Sequence, residues 1–254
     1  MLRVSILAVV VVIGTITIKY NSSVKERNAV QIAKEYLAQK YKQKMIYESV
    51  RLPQVDPVLY YVSFTSENTG IKFNVHVSPR LLKFPEEKTN TNFLWDDYLS
   101  SFFCRKTEET VLPEIKEIWD DNANMRVNLQ PSNAYPDKKN SSDINEHMTE
   151  REVEPFYNYR FYVTTNRVLN SESRTEEAMR ILNLFQAIHN LDYNPVEILV
   201  WYQTGTIERG KEIEKYINFV SGSIPSQPEK LETWLEIVDI EDIIRVMDEQ
   251  WFSN

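Results

Sequence analysis

Residues Val4 to Ile18, VSILAVVVVIGTITI, carry no charge and are bracketed by Arg3 and Lys19. Fifteen such residues in a row must enter lipid, be removed during export, or be buried in a core, and no other feature constrains the chain as much. As a helix the segment spans about 22 Å, less than the ~30 Å of hydrocarbon in a bilayer. Snorkelling of Arg3 and Lys19, with Tyr20 at the interface, extends its reach. A cleaved signal peptide has an apolar region of similar length, but Lys19, Tyr20, Asn21, Ser22 and Ser23 offer no A-x-A-like site. No cysteine follows to support lipoprotein processing. An uncleaved signal-anchor, a single transmembrane helix within residues 1–20, is favoured over a cleaved signal and over a core element. Lys19, Lys25, Arg27 and Lys34 would by themselves hold the body in the cytoplasm. A short N-terminal apolar segment is the usual export signal, however, and long domains translocate largely regardless of charge. The expected location is therefore the cell membrane, single-pass, with an extracytoplasmic body.

The rest reads as an ordered, water-soluble body, with 42% hydrophobic residues and 14 tyrosines across the chain. Cys104 is the only cysteine, so no intramolecular disulfide forms. The net charge of -8 is unevenly placed. Lys19, Lys25, Arg27, Lys34, Lys40, Lys42 and Lys44 face only Glu26 and Glu35 in residues 19–44, whereas acids dominate the remainder. An acidic body disfavours nucleic acid. The basic collar, chiefly Lys34, Lys40, Lys42 and Lys44, suits contact with anionic lipid.

Ser23-Val24-Lys25-Glu26 matches a capping box and opens a helix expected to run to Lys44, with Val30, Ala33, Leu37 and Tyr41 as its apolar stripe. Met45 to Leu52 is a short strand closed by Pro53. Val58, Tyr60, Val62 and Phe64 alternate with Leu59, Tyr61 and Ser63; Asn68-Thr69-Gly70 is a turn; Ile71, Phe73, Val75 and Val77 alternate with Lys72, Asn74, His76 and Ser78. That pattern is a hairpin and puts His76 on its polar, solvated face. Helices are expected over Asn92–Lys106 and Glu108–Asp121, divided by Pro113. Tandem acids occur at Trp95-Asp96-Asp97 and Trp119-Asp120-Asp121. Asp120, Asn122 and Asn124 imitate the start of a calcium loop, which fails at Met125 and Pro131. Residues 130–155 form a proline-containing polar linker.

Tyr157, Tyr159, Phe161 and Val163 then alternate as a strand. Ser173-Arg174-Thr175-Glu176 is a second capping-box match, opening a helix that buries Ala178, Ile181, Leu182, Phe185 and Ile188, with His189 in its last turn. Asn194-Pro195 leads into a strand from Val196 to Gln203. Residues 211–220 fit helix and strand equally. Thr233 to Val238 reads as a strand, and Asp239 caps a last helix with Ile240, Ile243, Ile244, Met247 and Trp251 inward. The fold class is α+β: an anchor followed by helix-on-antiparallel-sheet units, two of them if the echo of Asp56-Pro57-Val58 in Asn194-Pro195-Val196 marks a repeat. The domains are 1–20 (anchor), 21–129, the linker 130–155, and 156–254.

In the order of anchor, helix 23–44 and hairpin 57–78, the chain resembles uncharacterised membrane-anchored proteins of Gram-positive bacteria with a cystatin-like, helix-on-sheet body. The resemblance implies that fold and location. It implies no protease inhibition, because the Q-x-V-x-G loop of cystatin inhibitors is absent: no glycine lies between Gly70 and Gly205. No catalytic residue carries over.

The chain has no G-x-S-x-G, Walker or G-x-G-x-x-G motif, and its three histidines and one cysteine are widely spaced. His147 lies outside any H-E-x-x-H context, and Cys104 after Phe102-Phe103 reads as a buried thiol. No catalytic, cofactor or metal residue is singled out. The expectation is a membrane-anchored, non-enzymatic interaction or accessory protein with an unidentified protein partner. The alternatives are an extracytoplasmic hydrolase using two carboxylates and an immunity-type inhibitor whose acidic body matches a basic toxin.

Overall fold

The computed structural model describes residues 23–52, 59–89, 93–131, 147–148, 157–193, 195–208, 211–220 and 238–252. The anchor segment Val4–Ile18, most of the linker and most of the strand expected at Thr233–Val238 lie outside them. Among the described residues no helix is long and apolar enough to cross a membrane. The fold is α+β, with two four-stranded sheets among the described residues. The chain divides into two compact units, 1–101 and 102–254. The division falls inside a helix and not in the linker anticipated at 130–155.

The first unit opens with helix α1, residues 23–40. It ends four residues before Lys44, and its buried face is Ala29, Ile32, Ala33 and Leu37; Val30 and Tyr41 are only half-buried. An antiparallel meander follows, in the order β1 (Met45–Arg51), β2 (Tyr60–Ser66), β3 (Lys72–Val77) and β4 (Leu94–Asp96). The hairpin forms as its alternation dictates. Tyr60, Val62, Phe64 and Ser66 are buried on β2, and Phe73, Val75 and Val77 on β3, since successive side chains point to opposite faces. Gly70, with φ 66, takes the left-handed turn position that glycine occupies without a Cβ penalty. A bulge between Tyr47 and Ser49 bends β1, the kind of irregularity that protects an edge strand from unwanted pairing.

The residues expected to start a helix at Asn92 instead supply β4. Helix α2, Tyr98–Ile118, is continuous through Pro113. Proline removes one helical hydrogen bond and crowds the preceding turn. Here Phe103, Thr107, Val111, Ile115 and Trp119, four residues apart and buried throughout, hold both sides of the exposed Pro113 against one core. Burial of about 1.5–3 kcal/mol per large apolar side chain across that stripe offsets the ~3 kcal/mol cost of the proline.

The second unit's sheet is β5 (Asn124–Pro131), β6 (Tyr157–Val168), β7 (Glu197–Glu208) and β8 (Lys211–Val220), in that order. Asn124–Pro131, placed by the sequence in the first domain and the start of the linker, is thus an integral strand here. The sheet is mixed: β6 and β7 run parallel, joined through helix α3, Arg174–Asn190. A parallel pair needs such a crossover, so this unit does not repeat the all-antiparallel meander of the first. Residues 211–220 resolve as strand because they complete the ladder with β7.

Helix α3 buries Ala178, Ile181, Leu184, Phe185 and Ile188; Leu182 is half-buried and Leu184 takes its place inside. No capping box forms. Ser173 makes no side-chain cap bond, and its Oγ is used in the preceding turn by Asn170. The helix closes with paired bonds from Asp192 N to His189 O (2.8 Å) and from Tyr193 N to Ile188 O (3.1 Å), a Schellman arrangement in which Asp192 accepts φ 66. Helix α4, Ile240–Met247, is capped by Asp239, which accepts from Asp242 N at 2.9 Å; Ile243, Val246 and Met247 are buried. The single π-type turn after it, Asp248–Phe252, brings Gln250 to the outer edge of β8. There the Gln250 amide accepts from Asn218 N and donates to Asn218 O, both at 2.8 Å, so it occupies the place another strand would take.

Ile181→Asp buries an unpaired charge and should prevent folding of the second unit or cost more than about 4 kcal/mol. Met179→Asp, two residues away at 46% exposure, should cost less than about 0.5 kcal/mol. Thermal melts of the two variants check the facing of α3.

Candidate binding face of the first sheet

Alternation on β2 and β3 leaves Tyr61, Ser63 and Thr65, and Lys72, Asn74 and His76, on the face opposite the core. The register aligns them in rows. Arg51 pairs with Tyr61, Tyr61 with His76, and His76 with Trp95, so one row crosses all four strands. The row is in contact along its length. The Arg51 guanidinium lies 5.5 Å from the Tyr61 ring centre, a favourable cation–π distance. Tyr61 meets His76 edge-on at 4.8 Å, and His76 stacks on Trp95 at 4.9 Å with 5° between the planes. His76 is therefore not a solvated strand histidine: its side chain is 15% exposed, and its Nε2 lies 3.7 Å from Asp97 Oδ2.

The next row is short and polar. Ser49 pairs with Ser63, and Ser63 with Asn74. Ser63 Oγ donates to Asn74 Oδ1 at 2.9 Å, and Asn74 N donates to Asp97 Oδ1 at 2.5 Å. On the far side Thr65 pairs with Lys72, and Thr65 Oγ1 donates to Glu48 at 2.9 Å. Over the short row lies a depression of about 290 Å³ lined by Glu48, Ser49, Ser63, Phe64, Lys72, Phe73 and Asn74.

Extended geometry sends Asp96, the last residue of β4, and Asp97, just beyond it, to opposite sides. Asp97 serves the open face. Asp96, 1% exposed, turns toward α1 and accepts from Tyr36 Oη (2.7 Å), Lys40 Nζ (2.7 Å), Tyr41 Oη (2.8 Å) and Tyr98 N (3.0 Å). Burial, then the Asp96 charge and hydrogen bond, hold the Tyr36 hydroxyl far above the ordinary tyrosine range.

The second unit has its own enclosed acid. Glu177 is fully buried in the first turn of α3. It accepts from Arg167 Nε at 2.5 Å and Trp119 Nε1 at 3.0 Å, with Arg180 Nε at 3.3 Å. Burial and then the Glu177 charge push the neighbouring Tyr202 well up. Trp119 is thereby spent on Glu177, Asp120 accepts from Asn122 N in a local turn, and Asp121 is exposed. No group of three or more potential metal ligands exists among the described residues.

Cys104 is half-buried, not sealed in the core, and His189 occupies the last turn of α3 as expected. The basic collar is largely engaged within the protein: Lys40 on Asp96, Lys44 on Glu67 at 2.7 Å, and Lys34 5.4 Å from the Tyr47 ring centre. Sequence reasoning named none of Arg51, Tyr61, Trp95 or Asn74 as a site. The alternation predicted the shared facing of Tyr61, Asn74 and His76. Trp95 and Arg51 join them only through pairing with β3 and β2, which no local pattern encodes.

Asp96→Ala strands two hydroxyls and an ammonium and should cost about 3 kcal/mol in a denaturant titration. Because the Tyr36 pKa is raised, folding gains from its neutral form in full below about pH 10, and that gain is lost as pH rises above it. Tyr36→Phe should therefore flatten the fall in stability above pH 10, read by denaturation at stepped alkaline pH. Comparison of the chain with protein-family models, with curated proteins and with solved structures found no match to any of them.

Proposed function

We propose that this chain is a membrane-tethered, non-enzymatic binding protein that engages its ligand through the open face of the first sheet. The row Arg51–Tyr61–His76–Trp95 carries the reading. Three of its four residue types, Arg, Tyr and Trp, dominate recognition surfaces, and all four are preassembled side by side, so their ordering cost is met before binding. The two most enclosed acids among the described residues support a non-enzymatic role. Asp96 and Glu177 each have their oxygens occupied by donors, which leaves neither poised to move a proton on a substrate.

The tether is Val4–Ile18, and the body lies outside the cytoplasm. The helix-then-meander order of the first unit supports the cystatin-like layout. Lipid contact through Lys34, Lys40, Lys42 and Lys44 is secondary, since Lys40 and Lys44 are committed to acids within the unit.

Replacing Tyr61 by a photoreactive phenylalanine in the full chain, in the cells that make it, tests the reading. Irradiation should give an adduct at position 61 and none from the same probe at the exposed position 179. Adducts at 179 alone, or none at 61, would reject the face.

A further inference from the structure

Resting on that binding face, we propose that the depression over its short row is a site for a neutral saccharide. Residues two apart on one strand are about 7 Å apart along it, and adjacent strands are about 4.8 Å apart. The short row Ser49–Ser63–Asn74 therefore forms the floor of a groove that runs across the strands. Glu48 and Lys72 border it on one side, and on the other side the next row along the strands is Arg51, Tyr61, His76 and Trp95. Its ~290 Å³ lies at the small end of ligand sites, which suits one sugar ring at a time.

The chemistry of the lining selects the class. The floor offers hydroxyls and an amide whose orientation is fixed, with Oδ1 toward Ser63 and Nδ2 3.5 Å from Asp97 Oδ2. Such groups both donate and accept, as sugar hydroxyls do. Charge in the lining balances, Lys72 against Glu48, so neither an anionic nor a cationic ligand is favoured.

The rings of the neighbouring row stack on one another and are not laid flat. That disfavours single-stranded nucleic acid, which needs free ring faces and a cationic track. An extended peptide gains affinity from main-chain bonds at a sheet edge, whereas most of the floor here belongs to β2 and β3, which are each paired on both sides. What the neighbouring row supplies is polar edge, the Tyr61 hydroxyl and the Trp95 indole N–H.

An oligosaccharide array holding neutral and anionic glycans, probed with the full chain in detergent, tests the site, followed by calorimetry on the neutral glycan that gives the strongest signal. We expect neutral glycans to be bound. Asn74→Ala and Trp95→Ala should each weaken binding at least tenfold. Ser49→Trp, which fills the floor from an exposed edge position, should abolish binding while the circular dichroism spectrum and melting temperature stay unchanged. Met179→Ala should leave binding as it is.

An array without neutral binders overturns the saccharide site, as does binding that survives Ser49→Trp, or a preference for anionic glycans that is lost on removing Arg51 and Lys72. If position 61 still crosslinks to a protein in cells while the array is blank, the binding face stands and only the saccharide is rejected. If position 61 gives no adduct, the face itself fails.

Discussion

The Asp96 carboxylate, with four donors around it, is the contact on which the first unit turns. A buried carboxylate is costly unless it is paired and hydrogen-bonded. Here the donors come from the last turn of α1, from Tyr41 just beyond it, and from the first residue of α2. One side chain thus ties the end of one helix to the start of another through a three-residue strand. Without it β4 would have little to hold it, since three residues of pairing are marginal as an edge. By turning inward, Asp96 leaves Trp95 and Asp97 to turn outward, so the internal bond sets the composition of the open face.

The second unit solves a similar problem with different residues. Glu177 sits where a helix start favours a negative charge and gathers Arg167 from the end of β6, Arg180 from α3 and Trp119 from beyond α2. The rest of the unit is held by apolar burial, with Ile181, Leu184, Phe185 and Ile188 of α3 fully enclosed along with Phe161, Val163, Ile198 and Val200 of the sheet. At its edge, Gln250 occupies the backbone groups of Asn218, which denies β8 to a further strand. On the open face of the first sheet the rings of Tyr61, His76 and Trp95 instead contact one another in a row, and it is there that recognition is proposed.

Local pattern determined much of this architecture. Alternation at 60–77 set the hairpin and both its faces, because the two-residue period of a strand is independent of what packs on it. The Asp239 cap, the turn at Gly70 and the inward face of α3 followed from residue types with strong local preferences. Tertiary structure decided the rest. Pro113 stays within a helix because the buried four-residue stripe on both sides outweighs its local cost. Residues 94–96 yield a strand and not a helix because β3 offers a partner. Ser173 gives up its cap because Asn170 claims it first. Residues 211–220, balanced between helix and strand in isolation, become β8 because β7 has an open edge. The row of Arg51, Tyr61, His76 and Trp95 also belongs to this second class. Its members are spread over forty-odd residues of chain, and only interstrand register, a property of pairing and not of any one segment, sets them side by side.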